Sequence, residues 1–74
     1  IKALSLEFLP AAIDVAIEAV DLLERLGSYR YNVSFGEGMA FDLTDWRDAD
    51  RMRDWLANQR GGHRSGDVYA RLES

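Results

Sequence analysis

Glu7, Asn32 and Ser34 are the polar side chains whose setting in this sequence points most directly to chemistry. Glu7 stands near the carboxyl end of an alternating stretch, residues 2–9. Open α/β sheets gather their ligands outside the carboxyl ends of their strands, so a carboxylate there can face a substrate. The plainer alternative is an acid accepting hydrogen bonds at a strand end. Asn32 and Ser34 alternate with the aromatic positions of residues 29–35 and so project from the opposite face. They could hold a substrate hydroxyl, or simply occupy a partly solvated sheet surface. Gly36-Glu37-Gly38 lacks the third glycine and the strand-to-helix context of a dinucleotide loop, and reads as a hairpin turn. His63, between Arg60 and Arg64, could catch an anion or merely be exposed. Ser65 has no histidine–acid pattern to make it a nucleophile.

The element that must position these residues is residues 10–27, PAAIDVAIEAVDLLERLG. Asp14, Glu18, Asp21 and Arg25 fall on one narrow stripe at helical spacing. Ile13, Ala16, Ile17, Val20 and Leu23 form the central apolar face, flanked by Ala12, Val15, Ala19, Leu22 and Leu26. Pro10 suits a first turn because its missing N–H has no partner there. Gly27 can take a left-handed closing conformation. The spacing predicts deep burial of Ile17 and Val20 against a sheet, an Asp21–Arg25 pair, and a solvated acidic stripe of Asp14, Glu18, Asp21 and Glu24.

Residues 2–9 place Leu4, Leu6 and Phe8 on one face, with a fairly apolar second face that implies cover on both sides. A strand, a helix of about five turns and a strand make a crossover, so strands 2–9 and 29–35 run parallel. Residues 39–43 alternate as an antiparallel edge strand. Asp48 is placed as N-cap for a helix over 49–58, with Ala49, Met52, Trp55 and Leu56 on its apolar face and Trp46 folded over its first turn. A polar loop, 59–66, leads to a last strand over 67–72. The order is β-α-β-β-α-β, an α/β layer.

Bulk properties narrow the function classes. With 74 residues the chain is one domain or a fragment, burying about 60% of its unfolded surface. There are no cysteines and one histidine, which leaves no thiolate or histidine-rich metal site. A net charge of −4 argues against nucleic acid or an anionic membrane as partner. No apolar run reaches a membrane span, and absence of a signal segment makes cytoplasm the default compartment. The chain does not begin with methionine and its first residues already read as strand, so we expect it to be a piece of something longer.

The run LSLEFLPAAIDVAIEAVDLLERLGSYRYNVSFGEGMAF, then W-x-x-A-x-x-M-x-x-W-L, then SGDVYARL, resembles the C-terminal part of FkbM-type S-adenosylmethionine-dependent methyltransferases. That family carries an L-E-F or F-E-F strand end, a long helix, a Y-R-F-N-x-S strand, a G-E pair and a closing G-D-I/V-Y-A-R strand. The resemblance covers nearly the whole chain in order, though each motif is a structural strand rather than a catalytic signature. It implies a partial Rossmann-like methyltransferase sheet, mixed in direction, with the last strand antiparallel between the first two. It also implies that Glu7, Asn32, Ser34 and Glu37 lie on the substrate side. The family's glycine-rich first turn and the acids on its second and fourth strands would lie upstream of Ile1. None is in this chain, so S-adenosylmethionine is implied for a parent enzyme and not for these residues alone, and catalytic residues stay unassigned.

Two functions follow from different classes. One is the C-terminal segment of an O-methyltransferase, partnered by the missing N-terminal half. The other is a small non-enzymatic α/β interaction module. Either way, residues 2–9 would have an unpaired edge and the Val15, Ala19, Leu22, Leu26 flank no cover, so the isolated chain is expected to self-associate with a second copy through one or the other.

Overall fold

A computed structural model of the chain describes residues 2–35 and 41–73. Strand β1 (Ala3–Phe8) runs through a 3-10 turn at Pro10–Ala12 into helix α1 (Ile13–Leu26), followed by β2 (Tyr29–Ser34), α2 (Ala49–Ala57) and β3 (Gly66–Leu72). The sheet order is β1-β3-β2. The last strand lies antiparallel between the first two, with Ala3 opposite Arg71 on one side and Tyr29 opposite Leu72 on the other. β1 and β2 therefore run in the same direction without touching, as the crossover requires. Among the described strands every adjacent pair is antiparallel, so the expected mixed character is absent from them. The expected edge strand over 39–43 lies partly outside the described residues; Phe41, Asp42 and Leu43 form no strand.

Both helices cover one face of the sheet. Phe8, Tyr29, Tyr31, Val33, Val68 and Ala70 point into that layer and meet Ile13, Ala16, Val20 and Leu23 of α1 and Ala49, Met52 and Leu56 of α2. Phe8, Phe35 and Trp55 close one end, with ring centroids 5.6–5.8 Å apart. The second face of β1 carries no such cover: Ala3, Ser5 and Glu7 are exposed, and the expectation of a strand buried on both sides is corrected. Ile17 is only half-buried, whereas Val20 is fully buried, because the core stripe is centred on Ile13, Ala16, Val20 and Leu23.

α1 begins in a 3-10 turn because Pro10 has no N–H to give and Ala12 N–H reaches back to the Leu9 carbonyl at 2.9 Å. It ends at Gly27, whose backbone is extended rather than left-handed, while its N–H still donates to the Leu23 carbonyl at 3.2 Å. α2 is capped as expected, Asp48 Oδ1 accepting from Arg51 N–H at 2.9 Å.

The acidic stripe of α1 is solvated at Asp14 and Glu18, as expected, but it also carries cross-links to the rest of the fold. Asp21 accepts from Arg53 of α2 at 2.6 Å instead of pairing with Arg25, and Asp14 accepts from Arg60 at 2.6 Å. The Arg60 hydrogen bond, reinforced by its charge, holds the exposed Asp14 carboxyl below its ordinary range. Glu24 Oε2 accepts from the Tyr31 hydroxyl at 2.8 Å and from Tyr29 N–H at 3.3 Å. Arg53 and Arg60 sit thirty or more residues from Asp21 and Asp14, which is why periodicity alone does not show these pairs.

Adjacent leucines test the placement of α1. Leu23 is 7% exposed and Leu22 is 58% exposed. Leu23→Ala is expected to cost about 2–5 kcal/mol, as core truncations do. Leu22→Ala is expected to stay within about 0.5 kcal/mol. Urea midpoints measure both, and equal losses would mean that the helix is rotated.

Burial first, and then the Glu24 carboxylate, push the Tyr31 hydroxyl far above the ordinary tyrosine range. A raised native pKa contributes stability that is whole below the unfolded value, about 10, and is lost as pH rises beyond it. Unfolding free energy is therefore expected to fall above pH ~10 in the native chain. The fall should be shallower in Tyr31→Phe, with denaturant titrations between pH 8 and 11 (roughly bracketing that value) as the measurement. Parallel curves would remove Tyr31 from the alkaline response.

Candidate functional site

The carboxyl ends of β1 and β2 meet the start of β3 at one end of the sheet. Register puts Glu7 opposite Asp67, and Asp67 opposite Ser34, so the three form one rank across the strands. Alternation with Phe8, Val68 and Val33 turns them to the face away from the helices. Glu7 is exposed, Asp67 is half-buried and Ser34 is 3% exposed. The chain can close so tightly here because the preceding residue is Gly66. A Cβ at that position would come 2.6 Å from the Ser34 carbonyl oxygen and 2.9 Å from the Phe8 ring. Asp67 was not among the sequence candidates; only strand register identifies it as the neighbour of both Glu7 and Ser34.

Asn32 occupies the same strand as Ser34 but is committed to the fold. It is 2% exposed, not partly solvated. Its Oδ1 accepts from Leu43 N–H at 3.1 Å and Val33 N–H at 2.8 Å, while Nδ2 donates to the Leu43 carbonyl at 3.1 Å. The amide thus imitates a strand neighbour for Leu43. The rest of the segment is tied to the same edge. Asp42 N–H donates to the Val33 carbonyl at 2.8 Å, Phe35 N–H donates to Asp42 Oδ2 at 2.7 Å, and Tyr31 and Arg47 exchange both backbone bonds at 2.8 Å. This irregular strap covers the outer edge of β2 where a regular strand was expected. Glu37, the fourth candidate, lies outside the described residues.

The anion-binding reading of His63 finds no converging cations. His63 and Ser65 are exposed, Arg60 is engaged by Asp14, and the Arg64 guanidinium lies 4.1 Å above the Phe35 ring. Among the described residues no group of three histidine, aspartate or glutamate side chains could hold a metal ion. No helix among them is long and apolar enough to cross a membrane.

A second feature shares the open sheet face. Phe41, Trp46 and Tyr69 stack edge to face, with centroids 5.0 and 5.2 Å apart, and the Arg71 guanidinium lies 4.3 Å above Trp46. With Ala3 and Ser5 they line a shallow hollow of about 410 Å³. Trp46 was expected over the first turn of α2. Because Arg47 pairs with Tyr31, alternation sends Trp46 to the other side of the sheet. The rings offer a flat apolar contact and Arg71 a cation, but no nucleophile stands among them.

The site is therefore a graded face: carboxylates at the end bearing Glu7 and Asp67, aromatics across the middle, and Arg71 towards the other end. Comparisons with protein-family models, curated proteins and solved structures found no match for this chain.

Asn32→Ala strips Leu43 of both partners. It is expected to destabilise by roughly 1–3 kcal/mol, the cost of leaving such groups unsatisfied. Hydrogen exchange at Leu43 N–H should quicken more than at amides of the β1–β3 ladder. Unchanged protection at Leu43 would show that the strap holds without Asn32.

Proposed function

We propose that this chain is the C-terminal sheet segment of an S-adenosylmethionine-dependent O-methyltransferase of the FkbM type. In this reading it supplies sheet and substrate-side wall to an enzyme whose cofactor-binding half lies outside these residues. The observation that carries the reading is the placement of the last strand antiparallel between two co-directional strands linked through a long helix. That is the arrangement implied by the ordered sequence motifs. The substrate-side wall is the rank of Glu7, Asp67 and Ser34. Bound in the parent, the cofactor would supply an electrophilic methyl group to a hydroxyl oxygen. The described residues do not fit it, since the passage from β1 into α1 through Pro10, Ala11 and Ala12 has no glycine to let a phosphate or nucleoside approach the backbone. Glu7 and Asp67 are suited instead to accept hydrogen bonds from a hydroxylated acceptor.

The second reading, a non-enzymatic interaction module, is favoured by one observation: Leu9, Val15, Leu22 and Leu26 are large apolar side chains left exposed in so small a domain. The two readings separate on cofactor binding. Calorimetric titration of S-adenosylmethionine into the 74-residue chain is expected to give no binding. A polypeptide extended upstream by about one further domain, ~100–200 residues, is expected to bind it. Micromolar binding by the short chain, or an upstream reading frame with no glycine-rich strand-turn pattern, overturns the methyltransferase reading.

A further inference from the structure

Lys2 carbonyl oxygen accepts from Leu72 N–H at 2.7 Å, which fixes the phase of the β1–β3 ladder. In an antiparallel pair the backbone groups of alternate residues turn inward and outward. Leu4, Leu6 and Phe8 therefore bond to β3, and Ala3, Ser5 and Glu7 aim their N–H and C=O groups at the free edge. That edge is not isolated from the apolar flank of α1. Asp14 and Asp21 face Arg60 and Arg53 on the α2 side, so the stripe of Val15, Leu22 and Leu26 lies on the opposite side, over β1. A hollow of about 180 Å³, lined by Glu7, Leu9, Ala12, Val15 and Ala16, joins strand edge and helix flank into one surface.

We propose that this composite surface binds a second copy of the chain, β1 pairing with β1 about a two-fold axis through Ser5. The phase selects that register. With Ser5 opposite its mate, Ala3 lies opposite Glu7 of the second copy and Glu7 opposite Ala3, so every outward-aimed backbone group finds a partner, about six bonds in all. Leu4 falls opposite Leu6 of the second copy on the helix face, adding two apolar cross-strand pairs. No like charges meet; centring on Glu7 instead would oppose two carboxylates. The axis stands perpendicular to the sheet, so both copies of α1 lie on the same side and bring their apolar flanks towards the seam. The result is one six-stranded sheet, β2-β3-β1 continuing into β1-β3-β2. This inference does not rest on the methyltransferase reading, in which a strand from outside the chain fills the same edge.

The chain contains no cysteine, which makes a register test clean. Sedimentation equilibrium over a concentration series is expected to show a monomer–dimer equilibrium. Ser5→Lys sets two ammonium groups opposite each other at an exposed position and should weaken the dimer on the order of tenfold or more, with circular dichroism unchanged. Ser5→Cys is expected to cross-link with itself on mild oxidation, since a hydrogen-bonded pair holds Cα atoms about 5.5 Å apart, within disulfide reach. Ala3→Cys should not cross-link with itself but should do so when mixed with Glu7→Cys. A single species of monomer mass up to hundreds of micromolar (roughly millimolar or weaker affinity) overturns the proposal and leaves the methyltransferase reading standing. A dimer indifferent to Ser5→Lys, or Ser5→Cys that stays uncross-linked, overturns it equally by placing the contact elsewhere.

Discussion

β3 is the only described strand with another strand along both edges, and the segment that supplies it comes after everything it joins. Ala3 waits for Arg71 and Tyr29 for Leu72, so no neighbouring pair of strands can form from local sequence. The helices are the local part of the structure, and they cannot bury their apolar stripes until the sheet exists. Such topologies meet their loop-closure cost before their contacts repay it, which makes folding slow for the domain's size. Gly66 marks the narrowest point of this insertion, where anything larger meets the Ser34 carbonyl and the Phe8 ring.

The polar contacts divide the molecule differently from the hydrophobic core. On the helix side, Arg53 and Arg60 reach across to α1 and Glu24 reaches down to Tyr31 and Tyr29, so the seam between the helices is charged and partly wet. Exposed ion pairs of this kind contribute little stability, and their value here is in orienting α2 against α1. On the sheet side, Asn32 replaces a whole strand neighbour with one amide and lets an irregular strap close the β2 edge. One edge of the sheet is thus finished by side-chain chemistry, while the other is left with bare backbone among the described residues.

Much of this architecture was legible in the sequence. The two helices, all three described strands and the Asp48 cap follow from periodicity and from residue types whose preferences are local. Strand order was not legible in the residues themselves, because alternation says which face a residue takes but not which neighbour it has. The failures share a cause. Asp21, Trp46 and Asn32 were all read from near neighbours, yet each is placed by a partner outside its own element: Arg53 for Asp21, the Tyr31–Arg47 pairing for Trp46, and Leu43 for Asn32. Asp67 went unremarked for the same reason, since its significance is its rank beside Glu7 and Ser34 rather than its own surroundings. Ile17 missed full burial by a small rotation of α1, within the tolerance of a helical wheel.

The sheet also separates the chain's two indoles. Trp55 is half-buried and packs edge-on to Phe8 at the end of the helix layer, whereas Trp46, equally half-buried, lies on the opposite surface beneath a guanidinium and beside Phe41. Their emission should respond to different events, because one ring meets Phe8 and Phe35 and the other a guanidinium. Light from Trp55 follows the assembly of the core, and light from Trp46 follows whatever comes to rest on the open face. The fold thus carries two intrinsic fluorophores that report on its two surfaces independently.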